Sequence, residues 1–210
     1  MKVINCFKED NPLIKKKLQE VSVPTGLEIA TELFEVLNER GDGIGLAANQ
    51  IGIDAQVAVV NVREPIILIN PKIISKSTKI PYYEGCLSFP NKGCRTVRYE
   101  TIEVKTAQIE GSWIFSGVDE GDNESRGTWE KGKSKQDREL RTLEAVCVQH
   151  EIDHLNGMRI LDRQIDATYV REERKIGRNE LVTIKKGDAV KVLKYKKAQK
   201  FLNQGWEING

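Results

Sequence analysis

Histidine is almost missing from this chain: its 210 residues contain two, His150 and His154, four positions apart. Four cysteines, Cys6, Cys86, Cys94 and Cys147, are too few and too scattered for a disulfide scaffold, so in a reducing compartment they are thiols or metal ligands. Long apolar runs are absent. Runs such as Val57–Val60 and Ile66–Ile69, four residues each and not exceeded elsewhere, fall far short of a bilayer span, so no membrane role is expected. The N-terminal MKVINCFKED meets charge at Lys8 and holds no signal-peptide core, and a cytoplasmic location is the expectation. There is no excess of one charge either, with 33 bases against 31 acids, which argues against a global field for nucleic acid. What remains is ordinary for a globular protein: 39% apolar and 30% charged residues, enough for one domain with a small appendage.

Local patterns give a mixed α and β chain. Thr25-Gly-Leu-Glu28, with Pro24 before it, predicts a helix start. Leu27, Ala30, Leu33, Phe34 and Leu37 continue at helical spacing to Arg40, and Gly41-Asp-Gly43 ends the run. Gln56–Val62 and Ile66–Ile69, rich in Val and Ile, predict short strands. Val97–Ala107 alternates with one slip and predicts a strand with a bulge. A second helix is predicted from Ser134 or Lys135 to a C-cap at Asn156-Gly157. Leu140, Leu143, Cys147, His150 and His154 step by three and four along it, which predicts one interior stripe.

Two segments differ in composition. Ser116–Glu139 has twelve charged residues and four glycines among 24, too polar to fill a core, and reads as a charged loop insertion. From Asp166 onward eleven bases face six acids. Val182–Ile184 and Val190–Leu193 around Lys186-Gly-Asp188 predict a hairpin there, and Tyr195–Gln204 a short basic helix. The expected organisation is a catalytic domain over residues 1–165, with the 116–139 insertion, followed by a small basic extension over 166–210.

The chemistry concentrates in His150-Glu-Ile-Asp-His154. Two histidines at i and i+4 lie on one helix face about 6 Å apart, a spacing that suits two ligands of one zinc or iron ion. The glutamate between them, Glu151, can serve as base toward water at such an ion. A catalytic ion needs a third protein ligand. The residues leave several candidates: Glu172 or Glu173 downstream, Cys147 one turn before His150, Cys94, and Cys86. Cys147 is disfavoured because it stands about 10 Å from His154 along the helix axis.

Gly43-Ile-Gly-Leu-Ala-Ala-Asn-Gln50, Glu84-Gly-Cys-Leu-Ser88 and Gln149-His-Glu-Ile-Asp-His-Leu155, in that order, resemble the three motifs of peptide deformylases, and Arg98 falls where that family has an arginine. The resemblance covers roughly Val3 to Arg163. It implies an α+β fold with antiparallel sheets around a central helix bearing the His-Glu-x-x-His pentad. It implies hydrolytic removal of the N-formyl group from the initiator formyl-methionine of nascent peptides, with release of formate. Cys86, His150 and His154 would hold one divalent metal, Fe²⁺ in the cell with Zn²⁺, Ni²⁺ or Co²⁺ as substitutes. Glu151 would be the general acid and base, and Gln50 with the Leu87 amide would bind the oxyanion. Gly45 would pair with an extended formylmethionyl peptide, whose methionine side chain is expected among Ile44, Val146 and Cys147. A monomer is expected. The bases of the extension read either as a solvated face over a small apolar seam or as a contact to the ribosome near its exit tunnel, as the C-terminal helix of some family members makes.

Overall fold

The structure is a computed structural model that describes residues 2–117, 135–165, 179, 181–187, 189–202 and 206–209. The chain forms two compact units, Met1–Arg171 and Glu172–Gly210. The first holds helix α1 (Val23–Arg40), strands β1 (Gly45–Ala47), β2 (Val57–Asn61), β3 (Pro65–Ile69), β4 (Lys72–Lys76), β5 (Lys79–Gly85), β6 (Gly93–Tyr99), β7 (Thr101–Lys105) and β8 (Trp113–Ser116), and helix α2 (Lys135–Leu155). Its sheets run β1-β2-β3, β4-β7-β8 and β5-β6, all pairs antiparallel. The second unit is a three-stranded antiparallel sheet, β10 (Ala189–Lys194), β9 (Leu181–Lys186) and β11 (Glu207–Asn209), with helix α3 (Tyr195–Leu202).

The apolar run Val57–Val60 is a strand buried on both faces. Val57 and Val59 belong to a core with Ala30, Leu33, Val36 and Leu37 of α1. Ala58 and Val60 belong to the other core, with Ala145, Val148, Ile152 and Leu155 of α2. Period-two alternation thus divides one strand between two helices.

Helix α1 starts earlier than the capping pattern suggests. Ser22, not Thr25, is the N-cap, its hydroxyl accepting the Thr25 N–H, and Pro24 sits in the first turn, where a missing N–H costs nothing. Gly41 ends it in the left-handed conformation at φ 70°, its N–H donating to Leu37 O. Leu27, expected on the buried stripe, is 44% exposed, and Gly26 takes its place against Ile69.

The slip in Val97–Ala107 is a change of strand at Glu100, not a bulge. The bulge lies opposite, between Ile73 and Ser75 of β4. Along β6 the buried side chains are Cys94, Thr96 and Arg98, while Val97 and Tyr99 are only half-buried. A polar inner face is stable there because carboxylates meet it, as described below.

Helix α2 is also more buried than a single stripe allows. Every residue from Glu144 to Leu155 is buried, whereas Leu140, near its start, is 37% exposed. The helix closes with a Schellman turn: Met158 N–H donates to Asp153 O, Gly157 N–H to His154 O, and Gly157 sits at φ 74°. In the Glu172–Gly210 unit the hairpin turns at Gly187, and Val182, Ile184 and Ala198 form a small core with Leu193, Phe201 and Trp206. Strand β11 was not anticipated from the sequence. Residues 118–134, most of the expected charged insertion, lie outside the described residues, as do Glu172 and Glu173.

A Cβ added at Gly26 meets three atoms of the buried Ile69 side chain at 2.7–2.9 Å. Gly26→Ala is therefore expected to destabilise by about 1–3 kcal/mol through overpacking, although the same change at an exposed helix position stabilises by up to about 1 kcal/mol. A lowered urea midpoint checks this; a raised midpoint contradicts it.

Candidate metal centre

Three segments meet at the buried end of α2. The first is the turn after β1, where residues 48–51 form a short 3₁₀ turn. The Gln50 side chain reaches back, its Oε1 accepting the Ala47 N–H at 2.8 Å. That bond aims its Nε2 at Ser88 Oγ, 3.2 Å away, and Cys86 Sγ, 3.7 Å away. Asn49 donates to His154 O at 2.8 Å and so ties this turn to the helix end. The second segment follows β5, where Phe89 N–H donates to Cys86 O and closes a tight turn around Leu87 and Ser88. The third is α2, carrying His150, Glu151 and His154.

The ligand atoms of Cys86, His150 and His154 all lie within 4.8 Å of one another. Cys86 Sγ and His150 Nε2 are each 3.2 Å from His154 Nε2. Ligands of one tetrahedral zinc ion stand roughly 3.3–3.6 Å apart, given metal–nitrogen and metal–sulfur bonds of about 2.0–2.3 Å. A thiol with two imidazoles is a donor set suited to Zn²⁺ or Fe²⁺. The two imidazoles differ in their electrostatics. Burial and the neighbouring His150 hold His154 well below the usual imidazole range. Burial acts on His150 in the same direction, but hydrogen bonds with Cys86 and Glu84 outweigh it and raise its proton affinity. His154 thus keeps its ring nitrogen unprotonated and free to bind, and the convergence of one thiol with two imidazoles fits a divalent ion.

The other thiols are engaged elsewhere. Cys147 Sγ donates to Ile44 O at 3.6 Å and Cys94 Sγ to Ile160 O at 3.4 Å. Among the described residues, the only group of three that converges in this way includes Cys86.

Sequence reasoning passed over the role of Glu84. Its Oε2 lies 2.9 Å from His150 Nδ1, so it fixes the tautomer that leaves Nε2 facing Cys86 and His154. Burial raises the Glu84 carboxyl, but hydrogen bonds from His150 and Arg98 prevail and hold it at about 2. Thr96 Oγ1 also donates to Glu84. Cys94, opposite Glu84 in the β5-β6 pair, and Thr96 and Arg98 beyond it share one face. An acid two residues before a candidate ligand, facing an inward arginine, was the available signal.

A cavity of about 400 Å³ opens beside these groups. Cys86, Leu87, His150, Glu151 and Gln50 line it, together with a group of mostly apolar residues, Ile44, Gly45, Tyr82, Leu143, Val146 and Cys147, and with the polar Arg40, Asp42 and Asn91. Glu151 is 3% exposed, and burial pushes its carboxyl up to about 7. A Cβ on Gly45 would run into that carboxylate and into Cys147 Sγ, so only glycine lets β1 approach α2 this closely.

The model of the polypeptide deformylase family matches residues 3–121 and 125–169. The chain belongs to the peptide deformylase family. A relative from Dictyoglomus thermophilum, named peptide deformylase, is 34% identical over 170 residues, 80% of this chain and 96% of the relative. Peptide deformylase 2 of Vibrio parahaemolyticus is 30% identical over 77% of this chain and 86% of its own. The crystal structure of the Thermotoga maritima peptide deformylase is similar with a TM-score of 0.57 at 27% identity, covering 74% of this chain and 93% of that one. A class I type b peptide deformylase from Acinetobacter baumannii gives 0.58 at 27%, covering 77% and 97%. The protein is a metal-dependent hydrolase that removes the N-formyl group from nascent peptides. Its mixed helices and antiparallel sheets are those of the family, and no helix among the described residues is long and apolar enough to cross a membrane.

Proposed function

We propose that Cys86, His150 and His154 hold one divalent ion, Fe²⁺ in the cell with Zn²⁺, Ni²⁺ or Co²⁺ as substitutes, and that the surrounding residues carry out deformylation on it. The observation that carries this is the convergence of one thiol and two imidazoles within 4.8 Å, beside a buried glutamate and a glutamine amide. When bound, such an ion acts as a Lewis acid that makes water nucleophilic near neutral pH.

The protein's own groups do the rest. Glu151, buried with its Oε2 unpartnered among the described residues, takes the proton of the attacking water and passes it to the leaving amine. Gln50 Nε2 and the Leu87 N–H receive the oxyanion as the formyl carbon becomes tetrahedral; one such donor is typically worth about 3–4 kcal/mol. The extended peptide lies along the edge of β1 at Gly45, the edge that β2 leaves unpaired. The methionine side chain enters the apolar part of the cavity against Ile44, Val146 and Cys147.

Formate release from formyl-Met-Ala-Ser, paired with anaerobic metal analysis, tests the roles. Alanine at Cys86, His150 or His154 is expected to remove metal and turnover together, and stoichiometric metal in Cys86→Ala contradicts the ligand set. Glu151→Gln is expected to keep the metal and lose about 10²-fold or more in rate; a near-normal rate removes its role.

The proposal extends to residues 166–210 as a basic extension of a catalytic domain spanning 1–165, in a monomer acting in the cytoplasm. Lys185, Lys194, Lys196, Lys197 and Lys200 are exposed there, which supports contact with ribosomal RNA near the peptide exit. Deleting 166–210 is expected to leave tripeptide turnover within about tenfold and to weaken ribosome co-sedimentation, which should itself fall steeply with salt. Loss of tripeptide turnover on truncation, or no co-sedimentation of the full chain at low salt, contradicts it.

A further inference from the structure

Behind the metal-facing side chains lies a row of four alternating charges. Its inner member is Glu84, which accepts from His150 Nδ1. Arg98 holds Glu84 through Nε at 2.7 Å and Nη2 at 3.0 Å, and reaches Asp153 Oδ2 through Nη1 at 2.5 Å. The outer member is Arg163, whose Nε and Nη2 grip Asp153 Oδ2 and Oδ1 at 3.0 and 2.7 Å.

The backbone sets Arg163 in this place. The Gly157 turn reverses the chain after α2, a 3₁₀ turn at Ile160–Asp162 follows, and Ile165 N–H donates to Arg95 O of β6 at 2.9 Å. The returning segment therefore lies where an arginine side chain can meet Asp153.

We propose that Arg163 is a positioning residue for the metal centre: by holding Asp153 from outside, it keeps the Arg98 fork on Glu84 and so fixes the ring of His150. This rests on His150 being a metal ligand. Asp153 is a buried carboxylate with two cationic partners. Without Arg163 its whole demand falls on Arg98, because a buried anion left half-paired is costly. Arg98 is a rigid planar fork and cannot close on Asp153 without leaving Glu84. Among the described residues, Glu84 is the acceptor that orients His150 Nδ1, so its displacement loosens the imidazole. An ordinary exposed ion pair does none of this; its loss barely changes stability and leaves the metal untouched.

Arg163 is 39% exposed at its side chain, so it can be replaced without opening the core. The test uses the full-length chain loaded with Co²⁺, comparing the parent with Arg163→Met and Arg163→Lys. The readouts are the rate of Co²⁺ loss to a chelator, the visible ligand-field absorption and the melting temperature. Loss of an outer partner of a metal-binding histidine typically costs 10–100-fold in metal affinity. Arg163→Met is therefore expected to release Co²⁺ about 10–100-fold faster, with a shifted absorption band. Arg163→Lys should fall between, because one ammonium cannot grip both Asp153 oxygens, and it carries the comparison if the methionine variant does not fold. Release and spectrum equal to the parent's overturn the proposal even if the melting temperature falls. Failure of the parent to take up Co²⁺ overturns instead the ligand assignment beneath it.

Discussion

The Glu84–Arg98 ion pair is the contact on which the site depends. It is nearly solvent-free, with both side chains under 5% exposed, and one Glu84 oxygen is also committed to His150. An isolated carboxylate at that depth would take up a proton rather than ionise. Hydrogen bonds from His150 and Arg98 keep it ionised, and an ionised Glu84 dictates which nitrogen of His150 carries hydrogen. Strand β6 must therefore turn Thr96 and Arg98 inward at the expense of Val97 and Tyr99. Asp153 supplies the second anion that keeps Arg98 in place.

The same helix shows what happens without such partners. Glu151 is as deeply buried as Glu84, yet among the described residues no arginine grips it, and its carboxyl moves up to about 7 while Glu84 is held at about 2. One holds a charge and orients His150; the other stands where a proton can be taken up and released. Several other polar groups of this helix end are partnered. Gln149 accepts the Tyr99 N–H and donates to Tyr99 O, both at 2.9 Å, and the His154 carbonyl is met by Asn49 and by the Gly157 turn. Such partners lower the cost of burying this helix end on all sides.

Much of the framework was legible in the sequence, for reasons that remain local. The histidine spacing, the Asn156-Gly157 stop and the Val57–Val60 strand depend on neighbours within a turn or two. The polarity of β6 was not legible, because Val97 and Tyr99 carry the stronger apolar signal and the acids that draw Thr96 and Arg98 inward lie on β5 and α2. The Ser22 cap was hidden by a better-looking capping pattern three residues on. Cys86 posed the same difficulty: on residue chemistry it was one thiol among several, and only the family motif distinguished it. Its approach to His154 spans 68 positions and depends on how β5 meets α2. Arg163 lies beyond the motif altogether, and its contact with Asp153 exists because a glycine turn folds the chain back.

The central claim is that one thiol and two imidazoles bind a single ion that Glu84 and Arg98 hold in register. X-ray absorption at the metal edge of the zinc- or iron-loaded protein tests it most directly. The account predicts one sulfur at about 2.3 Å and two imidazole nitrogens at about 2.0–2.1 Å, with the sulfur shell lost in Cys86→Ser. A first shell of nitrogen and oxygen alone in the unsubstituted protein would contradict it.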